Sequence, residues 1–460
     1  MKIILIQSPC WTIHQPPLAT AYLGSALRAN GFEVKAYDLG IDLYNKVEEK
    51  YRFMFEMSNN SHWTYKFNET RNILNVDKFI DNWAKIILDE APQVIGFSLY
   101  WTTSEISLLL AEKIKNIDSS KIIIFGGPSC LKEEKAFDFI NRHYVDIVVV
   151  REGEETLLDI IRRIENRQDL IGIKGALIKK HGHVVDNGER DFIKNLDSIS
   201  FPDFDDFDIN SYAPFVSLPV LTSRGCIGRC TFCSEKNFWL TYRFRTADNI
   251  FEELKIQKGK YNKENFYFVD SLINGNMAEL SRLCDLIIDA NLRVYWGGKA
   301  RVDKRMSLEF LRKMKKAGCE ALDYGIESGS QKIVNDMCKD IDLRTAEKVI
   351  RDTYKAGIRA NCFFIIGYPS ETFYEFLKTA FFVIRNRKFI SMISSGSGCG
   401  IPPGSYLFKN RDELGILIGD GYSDWKTKDG RNTFDIRRKR LELFKKLAFL
   451  PGVRIEKNED

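Results

Sequence analysis

The chain has 460 residues, 44% of them hydrophobic and 28% charged, with a formal net charge of +5. That length exceeds one ordinary core and predicts two domains plus extensions. The mild charge shows no basic stripe, so no nucleic acid is expected as a partner, and no stretch approaches the ~18 apolar residues of a membrane span. The apolar run at Ile3-Ile4-Leu5-Ile6 is too short for a signal peptide, so a soluble, cytoplasmic protein with no membrane partner is expected.

In chain order, residues 2–7 predict a strand, the periodic segment from about Ala19 to Asn30 a helix that stops at Gly31, and Phe32 to Asp38 a second strand. After a polar, aromatic insertion near 50–75 come Val94 to Ser98, a helix through Lys115, Ile122 to Gly127, a further helix, Val145 to Val150 and a helix over 155–165. Strands alternating with helices predict a parallel α/β sheet, here a doubly wound, flavodoxin-like one over residues 1–165. Residues 166–216, with Pro202-Asp203-Phe204-Asp205-Asp206-Phe207, read as a linker.

A second alternation starts at Val220, with strands expected near 220–223, 266–270, 293–296, 321–326, 360–366 and 389–394 and helices between them. Six βα repeats over 217–406 predict a partial (β/α)6 TIM-type barrel whose site lies at the C-terminal strand ends. Residues 407–460 are expected to be a helical extension. Its Arg437-Arg438-Lys439-Arg440 run reads as a solvated helix face, and Trp425 with the segment 415–432 as a lid.

Ten cysteines could form disulfides, but clustered cysteines in a reducing compartment more often bind metal. Three of them, Cys226, Cys230 and Cys233, fall within eight residues in Thr222-Ser223-Arg224-Gly225-Cys226-Ile227-Gly228-Arg229-Cys230-Thr231-Phe232-Cys233, just after a strand. Thiolates are the usual ligands of iron-sulfur clusters, and three of them leave one iron of a [4Fe-4S] cluster open. Zinc is the alternative reading, but it wants a fourth Cys or His, and no histidine follows His183. Gly225 and Gly228 let the backbone turn around a metal, and Arg224 and Arg229 can offset cluster charge.

This C-x3-C-x2-C loop, with an aromatic before its last cysteine, resembles that of the radical S-adenosylmethionine (SAM) enzymes. In that family the open iron chelates SAM, and an electron from the cluster splits the sulfonium to give a 5'-deoxyadenosyl radical; the resemblance implies Cys226, Cys230 and Cys233 as the cluster ligands. It implies SAM contacts at Asp270-Ser271, Arg301, Tyr324 to Gly329 with Glu327 and Ser328, and Ile365 to Glu371 with Gly367. Arg301 can pair bidentately with a carboxylate, Glu327 or Ser328 can bond ribose hydroxyls or the amino group, and Gly367 permits close approach to adenine.

In the N-terminal domain, Pro16 to Leu23, Gly126-Gly127-Pro128 and Glu152-Gly153-Glu154-Glu155-Thr156 resemble the cobalamin-binding subgroup of that family. The resemblance implies cobalamin, with close backbone approach at Ser98, Gly126 and Gly127, ring contacts from Tyr100 and Trp101, and Glu152 and Gly153 at the cofactor. Many cobalamin domains carry Asp-x-His-x-x-Gly after the second strand, whereas this chain has Asp38-Leu39-Gly40-Ile41-Asp42, so no protein histidine is expected on cobalt from that segment. His14 is a loop histidine near the same end of the sheet.

The remaining cysteines are expected to be buried and structural, except Cys399. It stands in Ser394-Ser395-Gly396-Ser397-Gly398-Cys399-Gly400 after the sixth strand, where a thiol at the barrel mouth could donate hydrogen or bind substrate. The function expected is a cobalamin-dependent radical SAM methyltransferase acting on an unactivated carbon of a small-molecule or peptide substrate. An electron donor such as a flavodoxin or ferredoxin is implied with it. A radical cyclase or rearrangement enzyme without methyl transfer, and a sensor that binds the cofactors without turnover, are the alternatives.

Overall fold

A computed structural model describes residues 1–212, 216–394, 398–419 and 421–448, with the backbone of 454–455. The chain divides into two units, 1–218 and 219–458.

The first unit runs β1 (Lys2–Gln7), α1 (Leu18–Ala29), β2 (Glu33–Asp38), α2 (Leu39–Lys46), α3 (Phe67–Ile73), α4 (Val76–Asp89), β3 (Val94–Ser98), α5 (Ser104–Ile117), β4 (Ile122–Gly126), α6 (Ala136–Ile140), β5 (Ile147–Val149) and α7 (Glu154–Glu165). A hairpin, β6 (Ala176–Lys180) and β7 (His183–Asp186), follows. The sheet order is β2-β1-β3-β4-β5-β6-β7. Its first five strands are parallel, in the expected flavodoxin-like order, while β6 and β7 are antiparallel. The stretch read as a linker therefore extends the sheet: Leu177 and Ile178 bury against β5, and the two-residue turn His181-Gly182, both at positive φ, closes the hairpin. The near-continuous apolar strands Ile3 to Ile6 and Ile123 to Phe125 are buried, as a sheet covered on both faces requires.

Where many cobalamin domains place a histidine, β2 passes directly into α2. Asp38 caps that helix, accepting from the backbone N–H of Gly40 (2.9 Å) and Ile41 (3.3 Å), and its other oxygen accepts the Tyr212 hydroxyl at 2.8 Å. Burial pushes the Asp38 carboxyl up to about 6, against these three donors.

The second unit begins with β8 (Leu218–Val220), β9 (Ser223–Arg224), α8 (Glu235–Trp239), β10 (Arg243–Phe244), α9 (Ala247–Tyr261), β11 (Asn265–Phe268), α10 (Met277–Asp289), β12 (Tyr295–Ala300), α11 (Leu308–Lys316), β13 (Cys319–Glu327) and α12 (Gln331–Asp336). It continues with α13 (Leu343–Lys355), β14 (Arg359–Phe364), α14 (Phe373–Asn386), β15 (Met392–Ser394), α15 (Tyr406–Lys409), β16 (Ile416–Ile418), β17 (Trp425–Thr427), α16 (Phe434–Ala448) and β18 (Arg454–Ile455). The main sheet is ordered β8-β11-β12-β13-β14-β15-β18, so consecutive strands are neighbours, as in a partial (β/α)6 barrel. The pairs from β11 through β18 are parallel. Side chains at Ser307, Ser330, Asp342 and Thr372 cap four of the helices, which fixes where each leaves its strand-end loop. No helix among the described residues is long and apolar enough to cross a membrane.

Asp38 gives a test of the first unit. Its folded pKa lies above the ordinary 3.8, so its contribution to stability is full below about pH 4 and is lost as pH rises through about 6. Tyr212→Phe removes a donor to the ionised form and should cost about 1–3 kcal/mol at pH 8 but clearly less at pH 5. Urea unfolding of the full chain at both pH values measures the difference; an equal cost at the two would contradict it.

Candidate functional site

The cysteine loop leaves β9, and its root is set by Asp270, just past β11. The Asp270 carboxylate accepts from Thr222 N (3.1 Å), Ser223 N and Ser223 Oγ (2.8 Å). It is 1% exposed, and burial pushes it up to about 6. Asp270, expected as a SAM contact, thus points at the strand end beneath the loop; the neighbouring Ser271 lines the cavity and donates to Glu235 on α8.

Within the loop the backbone N–H of Gly228 donates to Cys226 Sγ at 3.3 Å and that of Glu235 to Cys233 Sγ at 3.4 Å. A Cβ on Gly228 would stand 3.3 Å from Cys226 Sγ, 3.7 Å from Cys230 Sγ and 3.5 Å from Arg301 Nη1. The glycine therefore leaves a cradle between two sulfurs and a guanidinium. Among the described residues no group of three or more His, Cys, Asp or Glu is arranged to hold a single ion, which disfavours the zinc reading. Two sulfurs beside a cradle, a third on the same loop, N–H donors to Cys226 and Cys233 and a cation alongside suit an iron-sulfur cluster, whose usual ligands are thiolates.

Cys226 and Cys230 open onto a cavity of about 290 Å³ at the C-terminal ends of β12 and β13. Arg301 is pinned there by Asn274, whose side chain bonds its backbone N–H (2.9 Å) and carbonyl (2.8 Å). Its Nη2 donates to the carbonyls of Lys339 (2.5 Å) and Asp340 (2.7 Å) and meets the Asp340 carboxylate at 3.1 Å. Glu327, at φ +67, ends β13 and pairs with Lys339 at 2.8 Å. Burial raises the Cys230 thiol, while Lys339 and Arg301 act to lower it. Gly325 has no side chain for a reason: a Cβ there would overlap the Glu327–Lys339 pair.

Five other expectations are corrected. Ser328 is fully buried and its Oγ bonds Thr379 at 3.0 Å and the backbone N–H of Ser330 at 3.1 Å, so it ties β13 to α14. Gly367, at φ +83, lies under the aliphatic chain of Arg437, which fills the space expected for adenine. Cys399 is 1% exposed among Ile333, Met337, Tyr368, Ile401 and Leu407, and burial pushes its thiol up to about 12; it is a core residue, not a thiol at the barrel mouth. Residues 395–397 of the glycine-rich run lie outside the described residues. Trp425, expected in a lid, is 2% exposed, donates to the Cys399 carbonyl at 2.8 Å and is covered by Arg437 at 3.7 Å from its ring centroid. Arg437 and Arg440 are buried as well, while Arg438 and Lys439 are exposed, so only the middle of that basic run faces solvent.

In the first unit, Ser98 ends β3 and Gly126 ends β4, side by side in register. Gly127, at φ +100, would bring a Cβ within 2.7 Å of the Leu99 carbonyl, so its glycine is required by the crossing of these two chains. Tyr100 and Trp101 are half-buried beside it, and Trp11 meets Tyr100 edge-on at 5.4 Å. Glu152 is buried and accepts Ile193 N at 2.9 Å, which braces the following segment. Gly153 starts α7 and leaves room for Leu23, 3.4 Å from where its Cβ would stand. His14 faces Glu56 at 3.5 Å.

Sequence reasoning missed Lys339 and Asn274, and it placed Gly325 within the Tyr324 to Gly329 stretch without giving it a part of its own. Lys339 follows α12 in a turn flanked by Cys338 and Asp340 at positive φ, a feature no residue pattern marks. Asn274 had only a weak signal, a polar residue next to a strand end.

Residues 220–383 match the family model of the radical SAM superfamily, so the second unit carries a radical SAM domain. An uncharacterised methyltransferase of Pyrococcus horikoshii is 29% identical over 294 residues, covering 63% of each chain. The anaerobic magnesium-protoporphyrin IX monomethyl ester cyclase of Cereibacter sphaeroides is 27% identical over 244 residues, 50% of this chain and 39% of that one. The chain thus spans less than two thirds of both relatives. Among solved structures, the radical S-adenosylmethionine methyltransferase TsrM from Kitasatospora setae, with cobalamin and a [4Fe-4S] cluster bound, superposes with a TM-score of 0.72 at 13% identity. The match covers 100% of this chain and 93% of that one, and the chain shares its fold.

Because Arg437 fills the space over Gly367 at positive φ, Gly367→Ala should destabilise the full chain by about 1–3 kcal/mol. Thermal and urea unfolding check this, and an unchanged midpoint would show that Arg437 is free to move aside.

Proposed function

We propose that this chain cleaves SAM reductively at a [4Fe-4S] cluster held by Cys226, Cys230 and Cys233, and that it is a methyltransferase with cobalamin as second cofactor. The observation that carries the reading is the cradle at Gly228, bounded by two cysteine sulfurs and the guanidinium of Arg301 and open to a cavity at the strand ends. When bound, the cluster supplies one electron to the sulfonium of SAM, and cobalamin supplies a carrier for a methyl group.

The protein's own groups do the positioning. Arg301, with its backbone fixed by Asn274 and its Nη2 engaged by residues 339–340, offers Nη1 toward the sulfurs, where a carboxylate would bind it. Glu327, held by Lys339, presents a carboxylate to an amino group or a ribose hydroxyl in the same cavity. Lys339 and Arg301 favour the ionised form of Cys230, against the burial that raises its thiol. Ser98, Gly126 and Gly127, with Tyr100 and Trp101, would meet the corrin, since strand ends bare of side chains suit a flat macrocycle. A low-potential reductant such as a flavodoxin or ferredoxin and a small-molecule or peptide acceptor complete the reaction.

The likeness to the ester cyclase supports a second reading, in which a radical closes a ring without methyl transfer. Turnover with SAM deuterated in its methyl group separates the two: label in the product supports the methyltransferase, and a product without label supports ring closure.

The shared step is tested by anaerobic reconstitution with iron, sulfide, dithionite and SAM. The wild-type chain should turn brown and release 5'-deoxyadenosine. Cys230→Ala should release none, and Lys339→Met should release it at least about tenfold more slowly, a loss of roughly 1.4 kcal/mol or more. Equal release from the wild type and Cys230→Ala would reject the reading.

A further inference from the structure

Below the level of Arg301 the wall of the same cavity carries a row of polar side chains. Lys299 of β12 pairs in register with Asp323 of β13, and Asp323 with Asn361 of β14, so the three stand abreast on adjacent strands about 4.8 Å apart. Lys299 and Asp323 both line the cavity that reaches Cys226 and Cys230. Charged residues abreast on neighbouring strands ordinarily pair.

Here they do not. Each oxygen of Asp323 is already engaged: the Tyr267 hydroxyl donates to Oδ2 at 2.6 Å and the Asn361 amide to Oδ1 at 2.7 Å. Asp323 is 8% exposed, and these two bonds settle its charge in the wall. The remaining charges at the cavity are also matched, Arg301 by Asp340 and Lys339 by Glu327. Among the described residues, the Lys299 ammonium alone of the charges lining this cavity has no hydrogen-bond or ion-pair partner, and Lys299 is exposed although it sits in a central strand.

Lys299 stands two positions before Arg301 on the same strand run, so its backbone is about 6–7 Å deeper in the sheet than that of the cation beside the sulfurs. SAM has a single carboxylate, and Arg301 is the cation at the level of the cluster loop. The ammonium below it then meets an acid of the other reactant. We propose that Lys299 is a specificity-determining residue that binds a carboxylate or phosphate group of the acceptor substrate, so that the acceptor class is acidic. This rests on the SAM-cleaving reading above. Asn361 and Tyr267 serve it by holding Asp323 away from the ammonium.

The test uses the full-length chain, reconstituted anaerobically and saturated with SAM, titrated calorimetrically with inorganic phosphate and separately with acetate. Wild-type protein should bind at least one of the two, which also tells phosphate from carboxylate. Lys299→Met should weaken that anion by about tenfold or more while weakening SAM by less than about threefold, and Lys299→Arg should retain anion binding. No binding of either anion by the wild type overturns the proposal. So does a Lys299→Met variant that weakens SAM as much as the anion, because the ammonium would then serve the SAM carboxylate. Normal release of 5'-deoxyadenosine together with anion binding unchanged in Lys299→Met overturns this inference alone, whereas a wild-type chain that neither takes up a cluster nor cleaves SAM removes the enzyme reading and this inference with it.

Discussion

The head of the second unit depends on one buried carboxylate. Between Val220 and Ser223 the first barrel strand breaks, and the backbone N–H groups of Thr222 and Ser223 lose the partners a continuous ladder would give them. Asp270 accepts both, along with the Ser223 hydroxyl, while Val269 N continues the ladder to the Val220 carbonyl at 3.0 Å. Orphaned buried donors each cost about 1–3 kcal/mol, so a single acceptor that satisfies several fixes the strand end firmly. The cysteine loop starts three residues later, and its freedom to place three sulfurs is limited by that anchor.

The second constraint is charge. Thiolates on a compact loop repel one another, and a cluster held on them would carry negative charge into a partly enclosed space. The cations that answer this are themselves immobilised. Arg301 is held through Asn274 and through two carbonyls, and Lys339 through Glu327. A cation held in place by the fold gives a fixed field at the sulfurs, whereas a mobile surface lysine would spend most of its time in water. The same economy explains Gly325, whose missing side chain is the room the ion pair occupies.

Strand and helix order was readable because apolar runs alternate with amphipathic segments, and the cysteine loop because its spacing has few other uses. Finer features failed for physical reasons. The strand expected at 293–296 runs from Tyr295 to Ala300, since Gly297-Gly298 looks like a break; yet a Cβ on Gly297 would stand 2.9 Å from the Ala321 carbonyl and one on Gly298 2.9 Å from Ile273, so the glycines mark tight packing within the sheet. The β6–β7 hairpin was hidden because its second strand, His183 to Asp186, buries little and shows no apolar alternation. Lys339 was hidden because its partner lies 12 positions away across a helix and a turn.

Gly367 shows why a residue pattern can find the right place and misread its occupant. Glycine at positive φ signals that something approaches the backbone closely, and that signal is the same for a ligand and for another part of the protein. Here the occupant is Arg437, which stacks on Trp425, donates to Asn432 Oδ1 and to the carbonyls of Ser423 and Trp425, and lies one turn from Arg440 and its pair with Glu371. A ligand on that face would have to displace a buried guanidinium from three acceptors and an aromatic ring. The end of β14 therefore clamps the C-terminal helix, and the cavity beside the cysteine loop takes its shape from β12, β13 and that loop.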